Sequence, residues 1–293
     1  SLEAWDSAAQ AWVLLATQSA SALDGTAPVI NILRPAQGAL TGLPFVLEAL
    51  ISDTFSSISE ATYRLAPDQS WTALQDSGLG SYFASIDLID DGPYAIEVRA
   101  IDANGNTTIT SPLNLVVDDT PPQIVISGVS GGASLAAAVS PEIQITDANL
   151  DQTLIRLNGL PYSSGSAIVQ EGNYLLTIEA TDLAGNFAEE AINFALDFTA
   201  PAIEFLSPAV GAVVAQGEID ALIQTEAGAL VTLNRDSYQA EQTADSDGLA
   251  RFMQVPLQLG SNLLSAQASD AAGNQSVVAQ RTVQWQTSSE VLE

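Results

Sequence analysis

Apolar and polar residues alternate with a period of two along much of this chain, in short runs broken by Gly, Pro, Asn and Asp. In "YAIEVRAI" (94–101), Tyr94, Ile96, Val98 and Ala100 share one parity and Glu97 and Arg99 the other. Strand side chains point to opposite faces in turn, so this pattern predicts a strand with one buried and one wetter face. Tyr174, Leu176, Ile178 and Ala180 repeat the pattern. Between Pro28 and Val117 nothing sustains a helical period. The stretch reads instead as about seven strands: "PVINILR", "PFVLEALIS", "ATYRLA", "WTALQ", "YFASIDL", "YAIEVRAI" and "SPLNLVV". Many short strands at regular spacing predict a β-sandwich. Only the N-terminal segment differs. Trp5, Ala8, Ala9, Trp12 and Leu15 recur at helical spacing, and a short amphipathic helix or the last strand of a truncated preceding module fits equally well. It has no positively charged stretch ahead of its apolar run, which argues against a signal peptide.

One phrase returns three times: "AIDANGN" (100–106), "ATDLAGN" (180–186) and "ASDAAGN" (268–274). Each follows a strand that opens with glycine, in "GPYAIEVRAID", "GNYLLTIEATD" and "GSNLLSAQASD". A tyrosine two residues after the glycine, Tyr94 or Tyr174, fits a tyrosine corner, whose hydroxyl bonds back to the preceding chain. Asn262 replaces it in the third copy, so that corner must close differently. The phrase itself predicts a strand reversal. Asp102 accepts backbone N–H bonds as in an Asx turn, Gly105 permits positive φ, and Asn106 tolerates the left-handed region. Joints of the form "DGTAPVI" (24–30), "DDTPPQI" (118–124) and "DFTAPAI" (197–203) separate the copies. From Pro28 to Pro122 is 94 residues and from Pro122 to Pro201 is 79. A unit that long, with several strands, is a small domain rather than a solenoid turn. The expected division is an N-terminal segment 1–23, domains 24–118, 119–197 and 198–287, and a tail 288–293.

Composition narrows the chemistry. The 293 residues hold no Cys and no His, and their seven basic residues are all Arg. Disulfides, Cys or His metal sites, imidazole triads and Lys nucleophiles are therefore excluded. With 35 acidic residues the net charge is −28, which disfavours nucleic acid and anionic lipid as partners and makes divalent cations natural counterions. A solubilising acidic surface accounts for the same charge. No run of about 18 apolar residues is present to span a membrane. The start at Ser1 is expected for a segment of a longer chain.

The ordered set of "AxDxxGN" turns and "DxTxPxI" joints resembles bacterial immunoglobulin-like repeats, over roughly residues 24–286. The resemblance implies an all-β fold of three tandem immunoglobulin-like β-sandwiches, found in stalks, adhesin segments and accessory domains. The third unit, with its Asp247-Gly248 turn and "LxxGxN" corner, resembles a subtype met in surface proteins and beside some glycoside hydrolases. The expected function is a non-catalytic extracellular or cell-surface spacer or adhesive segment, monomeric. Its expected partners are other domains of the same protein and a surface glycan or protein, with no nucleic acid and no membrane insertion. The alternative is a carbohydrate-binding accessory region. Trp71, in "YRLAPDQSWTAL", is the aromatic that separates them, as a stacking platform or a residue packed over its hairpin. The joint at Asp118 and Asp119, with Asp102 and with Asp147 or Asp151 of "TDANLD", is the candidate Ca²⁺ site, because Ca²⁺ takes several carboxylate oxygens at once. Turn capping by those Asp residues is the plain alternative.

Overall fold

The computed structural model describes residues 24–65, 70–87 and 90–287, together with the backbone of two N-terminal strands. The latter, β1 (Leu2–Asp6) and β2 (Ala11–Ala16), pair antiparallel. The rest of segment 1–23, the tail 288–293 and residues 66–69 and 88–89 lie outside the described residues.

The first sandwich faces two sheets. One is ordered β3 (Val29–Arg34), β5 (Phe45–Ser52), β9 (Ser81–Ile86), β8 (Gln75–Gly78). The other is ordered β4 (Ala39–Thr41), β12 (Leu113–Val117), β10 (Gly92–Asp102), β6 (Ile58–Leu65), β7 (Thr72–Ala73), with β11 (Thr107–Ile109) on β10. Alternation decides what is buried. Phe45, Leu47, Ala49 and Ile51 point inward from β5, while Ile96, Val98 and Ala100 do so from β10. Each such Leu or Ile removed from water contributes roughly 1.5–3 kcal/mol.

The second sandwich pairs β13 (Gln123–Ser127) with β15 (Glu142–Thr146). Its facing sheet is ordered β14 (Ser134–Leu135), β19 (Phe187–Leu196), β18 (Gly172–Asp182), β16 (Leu150–Leu157), β17 (Leu160–Pro161). This is the short repeat, and the missing residues show. Where β9 pairs along β5 in the first sandwich, the second keeps an isolated bridge from Ile168 to Val139 and a bond from Gly165 N to Pro141 O at 2.8 Å. Ser164 covers part of the exposed edge: its hydroxyl accepts from Ile143 N at 2.8 Å and faces Ile143 O at 3.2 Å. The core is correspondingly thin, with Ile168, Leu176, Ile178, Phe194 and Leu196 buried and Tyr174 stacked on Phe194.

The third sandwich has sheets β20 (Glu204–Ser207), β22 (Glu218–Gln224), β25 (Leu249–Pro256) and β21 (Val213–Val214), β27 (Ala279–Trp285), β26 (Gly260–Ser269), β23 (Leu230–Arg235), β24 (Tyr238–Thr243). Gly248 makes its expected turn at φ 77°, and a Cβ there would lie 2.2 Å from Thr225 O. The protein is thus all-β, built of immunoglobulin-like sandwiches, and no helix among its described residues is long enough to cross a membrane.

Contacts group the chain into two compact units. The first is residues 1–122 with the turns 147–151 and 181–187; the second is 123–146, 152–180 and 188–293. The strand corners close as the sequence implies. Tyr94 Oη donates to Asp90 O at 2.9 Å and Tyr174 Oη to Gln170 O at 2.8 Å. Asn262 reaches the same position, four residues back. It accepts from Gln258 N at 2.7 Å and donates to Gln258 O at 2.8 Å, so an amide replaces the phenol.

Candidate functional site: carboxylates and clasps at the joints

The inward parity of β10 runs Ile96, Val98, Ala100, Asp102, so the Asp of the repeated phrase continues the core face to the end of the sandwich. There it meets its own turn. Asp102 Oδ1 accepts from Asn104 N at 2.9 Å and Asn106 N at 2.8 Å, and Oδ2 accepts from Asn106 Nδ2 at 2.8 Å. Gly105 turns the chain at φ 90°. Asn106, though tolerant of the left-handed region, does not adopt it. Its carboxamide has another task, donating also to the carbonyl of Asp24 at 2.9 Å. Asn186 does the same to Asp182 Oδ2 and Asp118 O, both at 2.7 Å. Asn274 repeats it with Asp270 Oδ2 at 2.9 Å and Asp197 O at 2.7 Å. The phrase is therefore a turn and a clasp on the joint at once.

The residue following the second main strand completes each site: Asp53 after β5, Asp147 after β15 and Thr225 after β22. Asp24, Asp53 and Asp102 each place one carboxylate oxygen within 4.8 Å of the others. Asp118, Asp147 and Asp182 do likewise, and all six belong to the first compact unit. The third position breaks the pattern. Thr225 donates its hydroxyl to Ala202 O at 2.7 Å and brings no carboxylate to that position.

The clusters concentrate negative charge out of water. Asp102 and Asp182 are 1% and 2% exposed and Asp118 is 8% exposed. Buried carboxylates need donors or a cation. Most have donors: Asp53 Oδ1 accepts from Phe55 N, Ser56 N and the Ser56 hydroxyl, and Asp118 Oδ2 accepts from Asn149 Nδ2 at 2.5 Å. Asp53 Oδ2 is shut off from solvent with no hydrogen-bond partner. The Thr26 amide leads the contacts that hold the Asp24 carboxyl below the ordinary carboxylate range. For Asp102, burial pushes upward, but the side-chain and backbone donors of Asn106, with Ser56 and Asn104, bring it below that range.

Of the five residues expected to ligate together, Asp118 and Asp147 meet. Asp102 sits in the other cluster, with Asp24 and Asp53. Asp119 turns aside, its Oδ1 facing Leu43 N at 3.4 Å, and Asp151 is exposed on β16 and in neither cluster. Asp182, Asp24 and Asp53 were not in the expected set. The first two had a signal, since both stand in register with residues that were. Asp53 carried none, because only the fold brings that strand end to the turn.

Trp71 is packed. The guanidinium carbons of Arg64 and Arg99 lie 4.6 and 4.5 Å from its ring centroid, and those arginines pair with Glu97 and Glu60.

Residues 81–169 match the bacterial Ig-like domain (group 3) model. The window is about one repeat long and runs from β9 to the Ile168 bridge, across parts of two sandwiches. Solved structures with some likeness include a tetra-tandem repeat from the extending region of a large adhesion protein. It is 19% identical with TM-score 0.35, covering 87% of this chain and 73% of that one. Another is a 1.5-MDa bacterial ice-binding adhesin, 14% identical with TM-score 0.29, covering 90% and 100%. The N-terminal eight Ig domains of Down Syndrome Cell Adhesion Molecule are 13% identical with TM-score 0.47, covering 89% and 37%. Among curated proteins none matches the sequence.

Proposed function

We propose that this chain is a non-catalytic, extracellular spacer or adhesive segment of a larger bacterial surface protein. Its modules are 24–118, 119–197 and 198–287, and divalent cations hold two of its joints. The observation that carries this reading is the repeated placement of the Asp–Asn clasp on the joint carbonyl. Two of the three clasps sit within a triad of carboxylates. An all-oxygen, triply anionic donor set suits a hard cation such as Ca²⁺, which takes six to eight oxygens, carbonyls and waters included. Asp118, Asp147 and Asp182 would hold one ion and Asp24, Asp53 and Asp102 another. No nucleophile–base pair is legible, and with imidazole, thiol and amine absent from the sequence the segment serves by position and surface.

Thermal melts in Ca²⁺ and in EDTA test the reading. An ion bound only by the folded state raises Tm by mass action, at [L] = 100 Kd by about 2.7 kcal/mol of stability. Asp182→Asn is expected to abolish most of the shift from its triad. Equal melting temperatures in Ca²⁺ and EDTA for the parent chain refute the cation sites. The carbohydrate-binding alternative needs a free aromatic face, and at Trp71 two guanidinium groups lie over the ring. Binding on a glycan panel that Trp71→Ala removes would reinstate it.

A further inference from the structure

The corner that starts β10 and the joint that follows β12 are tied together, and the second sandwich repeats the tie. Asp91 stands immediately before the corner glycine Gly92. Its Oδ1 accepts from Asp119 N at 2.7 Å, and its Oδ2 accepts the hydroxyl of Thr120. In the second sandwich Glu171 stands immediately before Gly172. Its Oε1 accepts from Phe198 N at 2.6 Å and from Thr199 Oγ1 at 2.9 Å. One acid is an Asp and the other a Glu, yet both take the same two donors, the first amide after the joint Asp and the Thr hydroxyl one residue on. The acids are themselves held in place, because the corner tyrosines bond to the carbonyl of the residue just before each, Asp90 and Gln170.

The opposite end of the same peptide is the one gripped by the phrase. Asn186 bonds the carbonyl of Asp118, and Asp91 takes the N–H of Asp119; these are the two ends of peptide unit 118–119. Asn274 and Glu171 hold unit 197–198 in the same manner, by Asp197 O and Phe198 N. A peptide is planar, so fixing its N–H and C=O directions fixes its orientation and restricts the two soft dihedrals that flank it. The Asp91 and Glu171 contacts are solvent-exposed, where a hydrogen bond adds little to stability but still sets direction.

We propose that Asp91 and Glu171 are positioning residues. With Asn186 and Asn274 they lock one peptide plane at each of two joints and hold the direction of the chain there with no cation bound. This rests on the spacer reading above, and it assigns the Thr of "DxTxP" its role as the second donor.

The absence of cysteine makes the test direct. Spin-label pairs at Ser85→Cys/Gln152→Cys and at Gln152→Cys/Gln242→Cys report the distance distribution across each joint. In EDTA the parent is expected to give one narrow peak at both. Asp91→Ala loses that peak for the first pair only, and Glu171→Ala for the second only, while circular dichroism melts stay close to the parent's. Asp91→Asn, which keeps an acceptor oxygen, retains more of the peak than Asp91→Ala. A parent-like peak in Asp91→Ala overturns the proposal and leaves the spacer reading standing. A parent that is narrow in Ca²⁺ but broad in EDTA also overturns it, since the cation then does the work. A parent broad in both overturns it too, since neither the lock nor a cation then holds the joint. Should Asp91→Ala unfold, Thr120→Val decides: a broadened peak supports the lock and an unchanged one overturns it.

Discussion

Asn186→Ala is the sharpest perturbation of the repeated phrase. The carboxamide makes two bonds of 2.7 Å, one to Asp182 Oδ2 and one to the carbonyl of Asp118. Asp182 is 2% exposed, so water has little access to replace the lost donor. A hydrogen bond to a charged group is worth about 1.5–3 kcal/mol and a neutral one about 0.5–1.5, which together give an expected loss of about 2–4.5 kcal/mol. The third copy supplies the control. Asn274 makes the same two bonds, at 2.9 and 2.7 Å, but Asp270 is only half-buried, so solvent recovers part of the loss. Asn274→Ala is expected to cost about 1–2 kcal/mol. A chain of several sandwiches need not unfold in one step, so a global melt would blur the comparison. Hydrogen exchange in graded urea, followed separately on peptides from 172–196 and 260–285, reads each copy by itself. A loss below about 0.5 kcal/mol for Asn186→Ala refutes the argument that the phrase is a clasp on the joint rather than a bend alone. So does a greater loss at Asn274 than at Asn186.

The two corner solutions should differ in cost. Tyr174→Phe removes one exposed bond and keeps the stack on Phe194, for an expected loss of about 0.5–1.5 kcal/mol. Asn262→Ala strips four bonds, one of them from the buried Arg235 guanidinium, from a side chain 2% exposed and is expected to cost more, about 2–4 kcal/mol by hydrogen exchange on the 260–285 peptides in graded urea. Acid should act on the third clasp in one direction. At Asp270 burial pushes the carboxyl upward, but the Asn274, Gly273 and Ala272 donors bring it below its ordinary value. A depressed folded-state pKa means that its contribution is complete above the unfolded value of about 3.9 and is lost as pH falls through the folded one. Exchange in the 260–285 peptides should therefore accelerate below about pH 4, and Asp270→Asn should flatten that part of the profile.

The sandwich class was legible because it is a local property. The parity of Tyr94 to Ala100 and of Tyr174 to Ala180 assigns each face, and Asp102, Gly105 and their counterparts mark where the chain reverses. The tyrosine corners followed from the same local spacing. Two features were not legible. The residues that shorten the second repeat are absent at the place where β9 should recur, and no local signal says which strand a shortened repeat gives up. The partners of the joint were also hidden. Asp53 stands nearly fifty residues from Asp102, and Asp91 nearly thirty from Thr120, with nothing in either neighbourhood to connect them.

By itself the amino-acid order determined the strands, their inward faces, the turns and the threefold recurrence, since alternation and turn chemistry act between residues close in the chain. Only the tertiary structure decided which carboxylates meet, which drift apart, and that a peptide at each of two joints is gripped from both ends. Those outcomes depend on how strand ends far apart in sequence are stacked, and sheet pairing sets that stacking through contacts no local pattern encodes.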